Sequence, residues 1–105
     1  HRVACAWLAP SVAAGLAMRG KKPYVYSIIP FLIMRSYEQV RVDICYHNLD
    51  IKLIGSGGGV AYGPAGATHH AIEDLSLMRG LFHQVILMKQ KMPFKNHMRI
   101  ITLHI

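Results

Sequence analysis

The sequence predicts an α/β fold, a small parallel sheet with flanking helices. Two observations carry that expectation: short apolar runs rich in β-branched and aromatic residues recur along the chain, and stretches with helical spacing separate them. Residues 7–19 place Leu8, Val12, Leu16 and Met18 at near-helical intervals among alanines, with Pro10 in the first turn and Gly20 as the stop. Residues 24–29 follow Lys22-Pro23 and read as a buried strand. Pro30 opens the longest helical candidate, to about residue 47. In it Phe31, Met34, Tyr37, Val40 or Arg41, and Ile44 keep three- and four-residue steps, and Asn48 ends it. Residues 51–54 form a second strand that runs into Gly55-Ser56-Gly57-Gly58-Gly59 and a long turn to about residue 67. Thr68 then caps a helix over residues 68–79, with Ile72, Leu75 and Met78 on one face and Gly80 behind it. Residues 85–88 are the expected third strand, and residues 99–105 read as an added strand or a loose tail.

The length of 105 residues allows one small domain. With 52% hydrophobic and 16% charged residues the chain is not of disordered type. Cys5 and Cys45 form no disulfide framework and no C-x-x-C motif, as expected of a reduced cytoplasmic protein. The net charge of +7 is divided unevenly: both ends are basic, and all five acids lie between residues 38 and 74. No element interleaves Lys and Arg with aromatics, which argues against nucleic acid as a partner. The uncharged run over residues 3–18 is too short to span a bilayer and contains Pro10 and Gly15, so no membrane association is expected.

The glycine run fails as a dinucleotide fingerprint, because G-x-G-x-x-G counted from Gly55 needs glycine where Val60 stands. There is no P-loop motif. The run reads as a turn needing positive φ. Thr68-His69-His70-Ala71-Ile72-Glu73-Asp74 is the densest polar group. On a helix, His69 with Glu73 and His70 with Asp74 would be i,i+4 pairs, but zinc would lack further ligands at recognisable spacing, so no metal site is expected. Acids in a helix's first turn are favoured by its dipole in any case.

Several segments, taken in order, resemble the pyrimidine-binding domain of transketolase-like enzymes, the group that includes transketolase and deoxyxylulose-phosphate synthase. They are Ala13-Ala14-Gly15-Leu16-Ala17, Gly20-Lys21-Lys22-Pro23, Pro30-Phe31-Leu32 with Arg35, Tyr37, Glu38 and Gln39, then Gly63, and Gly66 through Asp74. The match covers about residues 11–87. The resemblance implies a parallel-sheet domain that holds the aminopyrimidine ring of thiamine diphosphate, while a second domain holds Mg²⁺ and the diphosphate. By position, Phe31, Met34 and Tyr37 line the aminopyrimidine pocket, and His69 reaches towards substrate oxygens. Without the resemblance, Phe31, Met34 and Tyr37 are simply the core face of a helix.

Three departures accompany the resemblance. The family's catalytic glutamate hydrogen-bonds the pyrimidine ring so that the exocyclic amine can draw a proton from the thiazolium carbon. By spacing from Gly15, its place here is Ala6, whose methyl group can neither donate nor accept a proton. The domain's usual opening helix and first strand have no counterpart, which makes the expected domain incomplete. After the run at 85–88, residues 89–105 form an unrecognised basic tail, so the partial domain is expected over residues 1–88. These features fit a fragment or remnant of a thiamine-diphosphate-dependent transferase, inactive alone, whose intact form moves a two-carbon ketol unit between sugar phosphates. The partner would be a diphosphate-binding domain or subunit, or a second copy through self-association. A non-catalytic assembly module pairing with a partner subunit is the other reading.

Overall fold

The computed structural model describes the backbone of residues 7–91 and 99–102 and the side chains of residues 7–83. Helix α1 (Ala9–Met18) begins with Pro10 in its first turn, where a missing N–H costs nothing. Gly20 ends it as expected: at φ 80° it lets its own N–H donate to the Ala17 carbonyl and the Lys21 N–H to Leu16, a Schellman closure. The helix turns its small residues inward. Ala9, Ala13 and Ala14 are buried, whereas Leu8, Val12, Leu16 and Met18, the residues with the expected spacing, are exposed. Alanines let α1 lie close to the segment Val40–Tyr46, and the Ser11 hydroxyl donates to Asp43 Oδ2 across that contact at 2.5 Å.

Strand β1 (Tyr24–Ile28) leads into a helical stretch that is broken rather than continuous: a π-helical turn Pro30–Met34, a short helix α2 (Tyr37–Gln39), and a second π-helical segment Val40–Tyr46. Ser36 makes the break. It is fully buried at φ −113°, ψ 25°, and its hydroxyl donates back to the Leu32 carbonyl, competing with the regular backbone ladder. Asn48 closes the stretch at φ 50°, with its N–H donating to Cys45 and that of Leu49 donating to Ile44, so a second Schellman closure stands where the sequence placed a stop.

Strand β2 (Lys52–Ser56) pairs parallel with β1 in the register Tyr24–Lys52 through Ile28–Ser56. Val25 and Leu53 face the helices, and Ile29, Leu32, Val40, Ile44, Ile51 and Leu81 complete the core. Burying such a side chain fully is worth about 1.5–3 kcal/mol. Tyr24 and Tyr26 project from the opposite, open face. Gly55 lies where a Cβ would collide with Ile29 Cγ1, so that core position demands glycine.

Two expected elements differ. Helix α3 runs over Asp74–Lys91, so the strand expected at 85–88 is helical and the helix does not start at Thr68. The run 85–88 fits either state by pattern, no proline interrupts residues 74–91, and Met78 and Leu81 sit buried on one face with Asp74. Gly80 therefore lies inside the helix, where a Cβ would approach Tyr37 Oη to 3.1 Å. The third strand is β3 (Arg99–Thr102), pairing parallel with β2 to give the order β1-β2-β3. The fold class is α/β as expected, with the sheet completed from the segment after α3.

Candidate functional site

Parallel sheets place ligands at the carboxyl ends of their strands. Two chain segments meet there. Pro30 follows β1 and starts the π-helical turn that carries Phe31, while β2 runs into the glycine turn that leads to His69. The Phe31 and His69 ring centroids are 5.2 Å apart, with planes at 75°. The Arg35 guanidinium lies 4.8 Å from the Phe31 centroid, a cation–π contact.

The glycine loop holds His69 by several independent devices. Gly57 has φ 76° and packs so closely against the Tyr62 ring that a Cβ would overlap Tyr62 Cε2. Tyr62 brings its ring to 6.0 Å from His69 and its hydroxyl to 3.4 Å from Ser56 Oγ. The 3₁₀ segment Gly63–Thr68 carries Pro64 in its first turn and kinks at Gly66 (φ 69°), and the His69 and His70 N–H groups both donate to the Gly66 carbonyl. Gly59 and Ala71 then exchange two backbone hydrogen bonds, closing the loop at its neck.

The residues expected at the site are brought together in part. Phe31 and His69 touch, and Met34 is half-buried at the end of the turn that carries Phe31. Tyr37 donates its hydroxyl to the Leu77 carbonyl of α3 at 3.1 Å and packs against the core. Ala6 lies outside the described residues. The i,i+4 pairs expected of His69 with Glu73 and His70 with Asp74 do not form on a helix, because residues 69–73 precede α3. Asp74 Oδ1 accepts from the Leu75 N–H instead, and the Thr68 hydroxyl bonds Ala65 and His69 rather than capping a helix. His70 Nε2 is buried without a hydrogen-bond partner among the described residues. Tyr62 is a site residue that no motif in the sequence marks. Its seven-residue distance from His69 carries no periodic signal, and the two rings approach across the kinked segment Gly63–Thr68 that separates them.

No group of three or more His, Cys, Asp or Glu side chains that could hold a metal ion occurs among the described residues. No helix of the described residues is long and apolar enough to cross a membrane.

The family described as transketolase, pyrimidine binding domain, matches residues 9–92. The chain belongs to the transketolase pyrimidine-binding domain family. Among its relatives, an apulose-4-phosphate transketolase subunit of Actinobacillus succinogenes is 52% identical over 68 residues, which is 65% of this chain and 22% of the relative. The 6-deoxy-6-sulfo-D-fructose transketolase subunit SqwH of Clostridium sp. is 40% identical over 70 residues, 67% of this chain and 22% of that protein. The 1-deoxy-D-xylulose-5-phosphate synthase of Bacillus cereus is 39% identical over 80 residues, 76% of this chain and 12% of the synthase. The chain thus spans about a fifth, or less, of the length of these relatives. Within the transketolase pyrimidine-binding domain, the Phe31–His69 pair is the aromatic contact that joins the loops after β1 and β2.

Proposed function

We propose that this chain forms the aminopyrimidine side of a thiamine-diphosphate site in a transketolase-type transferase, completed by a chain or domain that binds Mg²⁺ and the diphosphate. The observation that carries the proposal is the edge-to-face contact of Phe31 with His69 beyond the carboxyl ends of β1 and β2. An aromatic wall of this kind suits a flat heterocycle, since stacked and edge-on rings attract beyond the area they bury. Phe31, with half-buried Met34 beside it, would hold the ring by contact, and His69 would meet substrate oxygens. The cofactor, when bound, supplies the nucleophilic carbon that carries a two-carbon ketol unit. Relatives named as subunits of transketolases motivate a separate partner subunit here.

Ala6 decides how far the chemistry can go. The family resemblance calls for a carboxylate there, and a methyl group removes general acid-base assistance worth about 10²–10⁴ in rate. On this reading the chain by itself, with Ala6 at that position and no diphosphate-binding side, is expected to show no transfer, and the test is reconstitution. The chain is mixed with a diphosphate-binding transketolase subunit, thiamine diphosphate and Mg²⁺, and ketol transfer from a ketose phosphate is measured with and without Ala6→Glu. Transfer that appears only in the reconstituted Ala6→Glu protein supports the proposal. Cofactor-dependent transfer by the pure chain alone, or no complex and no cofactor binding in the mixture, overturns it.

Ala6 also favours a second reading, a non-catalytic module that pairs with a partner subunit. Stable copurification with that subunit, joined to failure of Ala6→Glu to produce transfer, would select it.

A further inference from the structure

The Thr68 hydroxyl has one hydrogen and two partners within bonding distance, the Ala65 carbonyl oxygen at 3.1 Å and His69 Nδ1 at 2.9 Å. A carbonyl oxygen only accepts, so both contacts are hydrogen bonds at once only when the hydroxyl hydrogen goes to Ala65 and a lone pair of the hydroxyl faces the ring. A ring nitrogen that meets a lone pair at 2.9 Å must carry the hydrogen itself. We propose that Thr68 is a positioning residue that fixes neutral His69 as the Nδ1–H tautomer and leaves Nε2 as an open acceptor.

The surroundings suit this role. Ala65 and Thr68 flank the kink at Gly66 (φ 69°), where the Ala65 N–H donates to Tyr62 and the Gly66 carbonyl accepts from the His69 and His70 N–H groups, so backbone hydrogen bonds on both sides of the kink hold the carbonyl and the ring. The ring's neighbours Phe31 and Tyr62 approach edge to face and leave the tautomer to Thr68. The consequence is a choice of ligand group. An Nε2 lone pair accepts a hydrogen bond from a hydroxyl and cannot donate to a carbonyl, so neutral His69 recognises an alcohol of a polyol substrate rather than its keto oxygen. The choice of ligand rests on the function proposed above; the tautomer rests on Thr68, Ala65 and His69 alone.

The test uses the full chain without cofactor, with ¹⁵N-labelled histidine, at about pH 9 so that imidazole is neutral. The His69 signals are identified by their loss in His69→Gln. Nδ1 is expected to give the protonated, pyrrole-type signal and Nε2 the bare, pyridine-type signal. In Thr68→Val the tautomer ratio should shift towards Nε2–H by about two- to twelve-fold, as the loss of one ordinary hydrogen bond implies, and Thr68→Ser should restore it. A wild-type ring protonated at Nε2 overturns the proposal without any variant, as does an unchanged ratio in a folded Thr68→Val. Loss of cofactor binding alongside an intact Nδ1–H tautomer would sink the proposed function and leave this inference standing.

Discussion

Phe31 and His69 meet edge to face, 5.2 Å between centroids, although one follows β1 and the other lies beyond the glycine loop of β2. The contact ties the loops of two neighbouring parallel strands together at the ligand end of the sheet. A double-mutant cycle with Phe31→Leu and His69→Leu, read by urea unfolding, should give a coupling energy of about 0.5–1.5 kcal/mol. A coupling indistinguishable from zero would mean that the rings stand near each other without holding the loops.

Gly57 is expected to be the least replaceable residue of the loop. Its φ of 76° costs an L side chain roughly 1–2 kcal/mol, and displacing Tyr62 adds a packing penalty of about 1–3 kcal/mol. Gly57→Ala should therefore lose more stability in the wild-type background than in Tyr62→Ala, where only the backbone penalty remains. Equal losses in the two backgrounds would show that Tyr62 does not press on Gly57.

The ends of elements are more legible in the sequence than their extent. Gly20 and Asn48 stop their helices where expected because a left-handed residue after a helix is a local matter, decided by two backbone hydrogen bonds. The Phe31–His69 pair is legible as well, through the order of the family's motif residues. Gly80 is not, since a glycine after an apolar helical face looks like a stop until Tyr37 is known to press its hydroxyl against that position. The run at 85–88 has no alternating pattern to separate strand from helix, so the sequence points to a third strand too early in the chain. The spacing of Tyr37 with Phe31 suits a pocket residue, and its bond to Leu77 shows that helix packing also explains that spacing.

Burial raises the Cys45 thiol from 9.0 to about 11. The thiolate is the charged form, so the unfolded chain gives up this proton more readily than the folded one. The contribution of Cys45 to stability is complete below pH 9 and is lost as pH rises through 11. Between those values stability should fall by up to about 1.4 kcal/mol per pH unit from this group. Subtracting the unfolding profile of Cys45→Ala isolates it from lysines and tyrosines that titrate nearby. A difference profile that is flat from pH 8 to 11 would contradict the buried, proton-retaining thiol.

The outer face of α1 should drive association between copies of the chain. Leu8, Val12 and Leu16 lie four residues apart on one ridge of the helix, each more than 40% exposed, with Gly15 beside them and nothing within 4 Å of where its Cβ would be. Ridges of this spacing pack into their own kind. The chain carries a net charge of +7, which repels a second copy, but no charged residue stands between Leu8 and Met18. Two α1 faces can therefore meet without bringing like charges into contact. The remaining repulsion is screened beyond ~8 Å at physiological salt, whereas apolar burial acts at contact. Association at micromolar concentration should strengthen from low to physiological ionic strength, and Leu16→Lys should weaken it by placing a charge on the ridge of both copies. Light scattering that finds an 11.8 kDa monomer at every salt concentration, or equal association of wild type and Leu16→Lys, would show that the α1 ridge is not the contact.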